Sequence, residues 1–266
     1  MPALESASLS RPLRVLCLLT ILTWMSGMTT ASAQTDASSQ YYARKNSFGI
    51  LTAYSADSSH ILLGNAENRM LLNIGVSYGR RFFLNKVVNW QYNGELLPVA
   101  LESDPLTSFV NHQTSPTVAT FSGSGALPQV SCATITTPYS IPVINSNGGI
   151  TIYSGTQTIF CSGRQWTIGE AISPVGIQLN FLTRRKLQPF IIGHGGYMYS
   201  THPIPTISDG SFNFTFDFGA GFELYHSGTK SIRTEYRYHH ISNHNTATLN
   251  PGIDNGLFQV TYSFGH

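Results

Sequence analysis

The C-terminal part of this 266-residue chain carries a histidine, a serine and a carboxylate within one strand–loop–strand unit. His240 and Ser242 are two residues apart, so on a β-strand both side chains point to the same face. Asp254 follows after a loop. A serine beside a general base whose imidazole is oriented by a carboxylate is the arrangement of serine hydrolases. We therefore predict that Ser242 is a nucleophile, His240 its base and then its acid, and Asp254 the orienting group.

The residues after Ser242 are candidates for stabilising the oxyanion of a tetrahedral intermediate. The side-chain amide of Asn243 is predicted to donate to it, assisted by the backbone N–H groups of His244 or Asn245. A His-x-Ser triplet also occurs by chance. In the alternative interpretation His240 belongs to an aromatic belt at a membrane interface, and Ser242 only begins a turn.

The composition of the chain favours a membrane β-barrel over a soluble α/β enzyme. Only 11% of residues are charged, against roughly a quarter in soluble proteins, and 12% are aromatic. No run of around twenty apolar residues follows the first segment, so no transmembrane helix is expected there. Few charges and many aromatic residues suit a barrel whose apolar side chains alternate outward. The net charge of +2 is too small to predict a nucleic-acid partner.

The first segment is predicted to be an export signal. Arg11 and Arg14 precede an apolar stretch, and a small-residue cleavage triplet ends at Ala33. We therefore expect a signal peptide over residues 1–33 and a barrel domain over residues 34–266. A transmembrane anchor is the alternative, which the short and interrupted apolar run disfavours.

Two cysteines remain after removal of Cys17 with this signal. Cys132 and Cys161 lie in a loop-like region of an exported chain, and an oxidising compartment favours a disulfide between them. No further cysteine or close histidine completes a zinc set. Neither a metal nor another cofactor is predicted.

Eight segments alternate in the manner of tilted membrane strands. The clearest is 211–224, where a row of phenylalanines shares one parity and polar residues such as Asn213 and Asp217 share the other. A membrane barrel turns such a row to lipid. The predicted strands are 46–55, 70–80, 88–98, 168–182, 187–199, 211–224, 230–242 and 256–264. We predict an all-β, eight-stranded antiparallel up-and-down transmembrane barrel with no open edge.

The lengths of the connections predict the orientation of this barrel. Short inner turns are expected on the periplasmic side and longer loops outside. The turns are 81–87, 183–186 and 225–229, and the outer loops are 56–69, 102–167, 200–210 and 243–255. The 102–167 insert is rich in Ser, Thr, Pro and Gly, which predicts one long flexible external loop closed by the Cys132–Cys161 bridge. A small inserted hairpin around residues 148–160 is the alternative for part of this insert.

Strand 230–242 shows which face carries the predicted chemistry. Arg233, Glu235, Arg237 and His239 share one parity, and an arginine facing lipid at the bilayer midplane costs roughly 2–4 kcal/mol. The charged set is therefore predicted to line the lumen as a stabilising network. His240 and Ser242 then face outward at the external rim. We interpret none of the remaining strand and loop histidines as a ligand; these are His60, His194, His202 and His226.

An esterase on the outer wall of a barrel serves a substrate dissolved in the membrane. In the outer leaflet of a Gram-negative outer membrane, that substrate is lipopolysaccharide with its ester-linked acyl chains. Two other functions stay open. One is a non-catalytic structural or adhesive barrel acting through the 102–167 loop, and the other is a barrel phospholipase.

Residues 236–243, followed by 250–254, resemble the lipid A 3-O-deacylase family of PagL-like outer-membrane acyloxyacyl hydrolases. Residues 53–58 and 212–219 are also similar to that family. The resemblance implies an outer-membrane barrel that removes the 3-linked acyl chain of lipid A without a metal. It implies the catalytic pair at His240 and Ser242, an oxyanion asparagine at Asn243, and the acidic member at Asp254, where the best-known members have glutamate. The expected partners are lipid A or lipopolysaccharide and membrane lipid, for a monomer or a homodimer.

Overall fold

The computed structural model describes residues 41–124, 133–206 and 209–266, and the predicted signal peptide lies outside these residues. Ten strands form in the described part of the chain, and none of its helices is long and apolar enough to cross a membrane. The strands are β1 (Asn46–Ser55), β2 (Met70–Leu84), β3 (Val88–Ser115), β4 (Ala119–Ser124), β5 (Ile135–Ile144), β6 (Ile150–Phe181), β7 (Leu187–Ser200), β8 (Phe212–Ser227), β9 (Lys230–Ser242) and β10 (Ile253–Gly265).

Eight of these strands close into a ring. Around the ring the order is β1-β2-β3-β6-β7-β8-β9-β10, and β10 pairs with β1 to complete it. Every pairing is antiparallel. Closure leaves no unpaired edge in the ring. The predicted eight-stranded barrel is therefore confirmed.

The two faces of the barrel wall differ as the strand parity predicted. The phenylalanine row of β8 points outward, with Phe218 50% exposed, whereas Asn213, Asp217 and Glu223 of the other parity are buried inside. A continuous apolar outer surface of this kind needs lipid around it. The barrel is a transmembrane one.

Side chains fill the interior of the barrel. Arg237 is buried there and contacts Glu95, Asp217 and Glu235. The predicted charge network is confirmed for Arg237 and Glu235, whereas Arg233 donates to the uncharged Gln178. Apolar side chains such as Leu97 and Ile241 form a further layer. The cavity left beside Arg237 has a volume of about 20 Å³. The interior is thus a packed core rather than a pore.

The prediction that residues 102–167 form a flexible loop is wrong, because this region is largely β-sheet. β3 and β6 continue past the barrel and pair with β4 and β5, giving a four-stranded antiparallel sheet in the order β4-β3-β6-β5. We call this the outer sheet. Because β3 and β6 are already paired in the barrel, each further pair extends an existing ladder without closing a new loop. A hairpin is present, but its arms are β5 and β6 and it turns at Gly148, where φ is +79°; the predicted range 148–160 covers little more than one arm.

The predicted disulfide is only partly within the described residues. Cys161 lies in β6 and is disulfide-bonded. Cys132, its predicted partner, lies outside the described residues. The pairing of the two stays a prediction.

Candidate active site

Strand pairing alone brings His240 and Asp254 together. The two residues lie directly opposite each other in the antiparallel β9–β10 pair, so their side chains leave the sheet on the same face. His240 Nδ1 is 2.6 Å from Asp254 Oδ1. Asp254 was expected in a loop, but β10 begins at Ile253 and includes it. A strand position fixes this carboxylate more firmly than a loop would.

Both oxygens of Asp254 are fully used by hydrogen-bond donors. Oδ1 accepts from His240 and from the hydroxyl of Tyr238 at 2.7 Å. Oδ2 accepts from the backbone N–H groups of Leu62 at 2.7 Å and Leu63 at 2.8 Å. The residue is 0% exposed. Four donors hold the carboxylate in one orientation and favour its ionised form.

This carboxylate sets the tautomer of the imidazole. With the Nδ1–H of His240 donated to Asp254, Nε2 carries the lone pair and is the nitrogen available as a base. The ring is also held by its neighbours: it lies nearly parallel to the Tyr238 ring, with planes 10° apart, and Phe216 packs at 5.2 Å between centroids. Gly252, with φ +63°, lies beside it, where a Cβ would be 3.0 Å from Cε1.

Residues 56–69, predicted as an outer loop, fold down over the outer wall and cover this pair; we call them the clamp segment. Asn65 N–H donates to the Pro251 carbonyl at 2.7 Å, and Ala66 N–H to the Gly252 carbonyl at 3.0 Å. Gly64 lies so close that a Cβ there would be 2.6 Å from the Asp254 nitrogen. His240 faces outward by parity and is nevertheless buried, between the rings of Phe216 and Tyr238 and beside Gly252, to whose carbonyl the clamp segment donates.

Ser242 ends β9 on the same face as His240 and is half-buried. Its hydroxyl forms no hydrogen bond within the described part of the chain, to His240 or to any other residue there. Catalytic hydrogen bonds of free enzymes are often long and tighten only with bound substrate. The structure thus places the serine two residues from the base, on the same wall.

The predicted oxyanion donors differ in how they are used. The Asn243 amide is buried and donates to the Leu249 carbonyl at 2.6 Å and to Asp209 at 3.4 Å. Its oxygen accepts the Asn245 N–H at 2.8 Å. Asn243 therefore organises the 243–252 loop. Asp209, the second acceptor of this amide, is itself buried. Its burial raises the pKa of its carboxyl above the usual range, although the hydrogen bonds from Thr206 act in the opposite direction.

The remaining predicted donor is the backbone N–H of His244, which has no partner among the described residues. His244 and Asn245 both adopt positive φ, 52° and 61°. This left-handed turn begins two residues after Ser242, close to the predicted nucleophile, where an oxyanion donor is needed.

An apolar groove runs down the outer wall from the covered pair. It has a volume of about 990 Å³ and is lined by residues such as Ile177, Ile191, Phe216, Phe218 and Tyr238. Tyr238 is shared between this groove and Asp254. The groove has the polarity needed for a hydrocarbon chain and opens toward the surrounding lipid.

Two of the remaining histidines have acidic partners. His194 lies in the interior, 2.9 Å from Asp217, and His60 pairs with Glu67 at 2.9 Å. Within the three described ranges, no three His, Cys, Asp or Glu side chains lie close enough together to hold a metal ion.

The resemblance to the lipid A 3-O-deacylase family is confirmed over part of the chain. The family model "Lipid A 3-O-deacylase (PagL)" matches residues 144–263, which include every predicted catalytic and oxyanion residue. No protein of curated function matches the sequence.

Solved outer-membrane structures show distant similarity. The crystal structure of the outer membrane enzyme PagL is 12% identical, with a TM-score of 0.46, over 82% of this chain and 99% of that chain. The Neisserial surface protein A (NspA) is 10% identical, with a TM-score of 0.37, over 84% and 97%.

Proposed function

We propose that this chain is an outer-membrane serine esterase that hydrolyses an ester-linked acyl chain of lipid A, at the 3-position. The observation that carries the proposal is the His240–Asp254 pair, oriented by four hydrogen bonds on the lipid-facing wall beside Ser242. The match of residues 144–263 to the deacylase family supports the same substrate class. The proposal includes export of the chain by the signal peptide predicted over residues 1–33.

The first half of the reaction forms an acyl-enzyme. Ser242 Oγ attacks the ester carbonyl carbon while His240 Nε2 takes its proton, and Asp254 stabilises the resulting imidazolium through Nδ1–H. The His244 N–H donates to the oxyanion of the tetrahedral intermediate. When the intermediate collapses, the bond between the acyl carbon and the sugar oxygen breaks. The departing sugar alkoxide takes the proton from His240.

The second half returns the enzyme to its starting state. Water attacks the acyl carbonyl as His240 removes one of its protons, and the second tetrahedral intermediate releases the fatty acid. Ser242 recovers its proton from His240. All the groups in this scheme come from one chain, so a monomer is sufficient for the chemistry.

The surroundings of the site fit a lipid ester rather than a soluble one. The apolar groove gives the acyl chain a path along the wall, beginning at Tyr238 next to the base. The clamp segment exposes three consecutive aliphatic side chains, Ile61, Leu62 and Leu63, at the same rim. This apolar surface continues the lipid-facing band up to the level of the catalytic pair.

The test replaces the nucleophile and follows lipid A by mass spectrometry. In cells expressing the wild-type protein we expect lipid A to lose the mass of one acyl chain, and in Ser242→Ala cells to keep it, a loss of at least about 10⁴-fold in rate. Ser227→Ala, in the inner turn, is the matched control and should behave as wild type.

Two results would favour the other functions. Unmodified lipid A with the wild-type protein would favour a structural or adhesive barrel. Release of fatty acid from purified phospholipid vesicles, with lipid A untouched, would favour a phospholipase.

A further inference from the structure

The outer sheet has an unusual composition for a surface that projects from a membrane. Residues 105–163 contain no Asp, Glu, Lys or Arg. Directly opposed residues of β3, β4, β5 and β6 segregate by type. One face carries aromatic, amide and aliphatic side chains, and we call it the aromatic face; the other carries mainly serine and threonine. The aromatic face includes Asn111, Gln113, Phe121, Tyr139, Tyr153 and Gln157.

A hollow of about 490 Å³ lies on the aromatic face. Gly155, between Tyr139 and Gln113 in the ladder, lets the Tyr139 side chain lie across the strand: a Cβ at this position would be 2.8 Å from the Tyr139 hydroxyl. Phe121 and Tyr153 contribute to its lining. The hollow is therefore bounded by aromatic rings, with amide and aliphatic side chains between them.

One polar atom in the hollow lacks a partner. Asn111 Oδ1 is buried without a hydrogen bond in the described part of the chain. Gln113, beside it, is buried and donates to the Thr117 carbonyl at 3.0 Å. A buried acceptor left without a donor costs free energy, and a ligand hydroxyl would remove that cost.

We propose that the aromatic face binds a neutral saccharide, namely the sugar chain of the lipopolysaccharide around the barrel. Sugar rings present C–H faces that pack on aromatic rings, and hydroxyls that donate to an amide oxygen such as Asn111 Oδ1. A face without ionic side chains matches a ligand without charge and disfavours phosphate-rich partners. The identity of the glycolipid, but not the saccharide chemistry, rests on the proposed function.

The position of the hollow agrees with this ligand. From Glu102 to Asn111, β3 extends by about 30 Å at 3.3 Å per residue. The sugar chain of a lipid whose ester lies at the rim extends in the same outward direction. A second copy of this chain is the competing occupant. Pro138 and Pro142 on the edge strand β5 disfavour it, because neither can donate a hydrogen bond to a further strand.

The experiment uses the full-length protein in detergent and the delipidated, phosphate-free polysaccharide released from lipopolysaccharide by mild acid. Binding is measured by isothermal titration calorimetry. We expect the wild type to bind and Tyr139→Ala, Tyr153→Ala and Asn111→Leu to bind about fivefold to tenfold more weakly. Ile152→Ala, next to Tyr153 on the opposite face, is the matched control and should bind as wild type. Far-UV circular dichroism verifies the fold of each variant.

The possible results separate the saccharide site from the esterase. Ser242→Ala should bind the polysaccharide as the wild type does, because Ser242 lies outside the aromatic face. If the wild type binds the polysaccharide but does not deacylate lipid A, only the proposed esterase function is contradicted. Absence of binding by the wild type, or equal loss in Ile152→Ala, would overturn the saccharide site. So would concentration-dependent dimerisation that Tyr139→Ala abolishes, measured by sedimentation, since it would show a second copy as the occupant.

Discussion

Two histidine–aspartate pairs lie in this barrel, one inside it and one on its outer wall. His194 and Asp217 are 2.9 Å apart in the interior, and His240 and Asp254 are 2.6 Å apart on the wall. The inner histidine also approaches Asn93 through Nε2 at 3.3 Å, and the inner carboxylate is shared with Arg237. The outer histidine keeps Nε2 available, and the donors to its carboxylate, apart from His240 itself, carry no charge.

The difference shows what a carboxylate–imidazole pair needs in order to act as a base. Arg237 offsets the charge of Asp217, and with Asn93 it occupies the surroundings of His194, so the inner pair belongs to the network that holds the core together. Asp254 keeps its whole charge for the imidazolium of His240, next to Ser242 and lipid. Location and second partners, rather than the pair itself, separate the structural role of the inner pair from the catalytic role that we propose for the outer one.

The strongest test of this comparison removes the charge from each carboxylate in turn. Asp254→Asn should lower the rate of lipid A deacylation about 10⁴-fold, because the amide favours the wrong tautomer of His240. Asp217→Asn should instead destabilise the barrel by about 3 kcal/mol, because Arg237 loses a buried partner, while its folded fraction stays active. Mass spectrometry of lipid A and urea unfolding followed by tryptophan fluorescence measure the two effects.

Each variant of this pair serves as the control for the other. If folded Asp217→Asn is as inactive as Asp254→Asn, the interior pair takes part in the chemistry and the distinction fails. If Asp254→Asn deacylates at the wild-type rate, Asp254 is not the orienting group.

A smaller effect is expected from moving the clamp segment, which the inner pair lacks. In Gly64→Ala the new Cβ would lie 2.6 Å from the Asp254 nitrogen and 2.8 Å from Oδ1, so the Leu62 and Leu63 donors must shift. A displacement of about 1 Å typically costs about 100-fold in rate. Gly210→Ala, whose Cβ would meet nothing closer than 3.5 Å, is the control. An unchanged kcat for Gly64→Ala would show that the clamp segment does not position Asp254.

The sequence was sufficient to predict the barrel and the face of the wall on which His240 lies, because both depend on a period of two along single strands. The phenylalanines of 211–224 and the charges of 230–242 each divide by parity, and the structure places them outside and inside accordingly. The outward position of His240 follows from the same rule. Alternation of apolar and polar residues can be recognised in the sequence wherever one face of a strand meets lipid and the other faces a polar interior.

The clamp segment and the outer sheet were not predictable in this way, because both depend on contacts between distant parts of the chain. Leu62 and Asp254 are separated by 192 positions, and no local pattern marks their contact. The serine- and threonine-rich segments become strands only because β3 and β6 are already paired. The use of the Asn243 amide within its own loop is likewise visible only in three dimensions.

The smallest expected effect concerns Tyr238. This neutral residue donates to Asp254 at the outer pair, as the charged Arg237 donates to Asp217 at the inner pair. Tyr238→Phe removes one hydrogen bond to Asp254 Oδ1 and keeps the ring that stacks on His240. We expect kcat to fall about fivefold to tenfold, the effect of one hydrogen bond, with KM unchanged because the groove keeps its shape. Tyr262→Phe, exposed on the outer wall and outside the groove, is the control. A change in KM alone would show that Tyr238 only lines the groove. A fall in kcat alone would show that Tyr238, an uncharged donor, helps to orient Asp254 for the reaction that we propose.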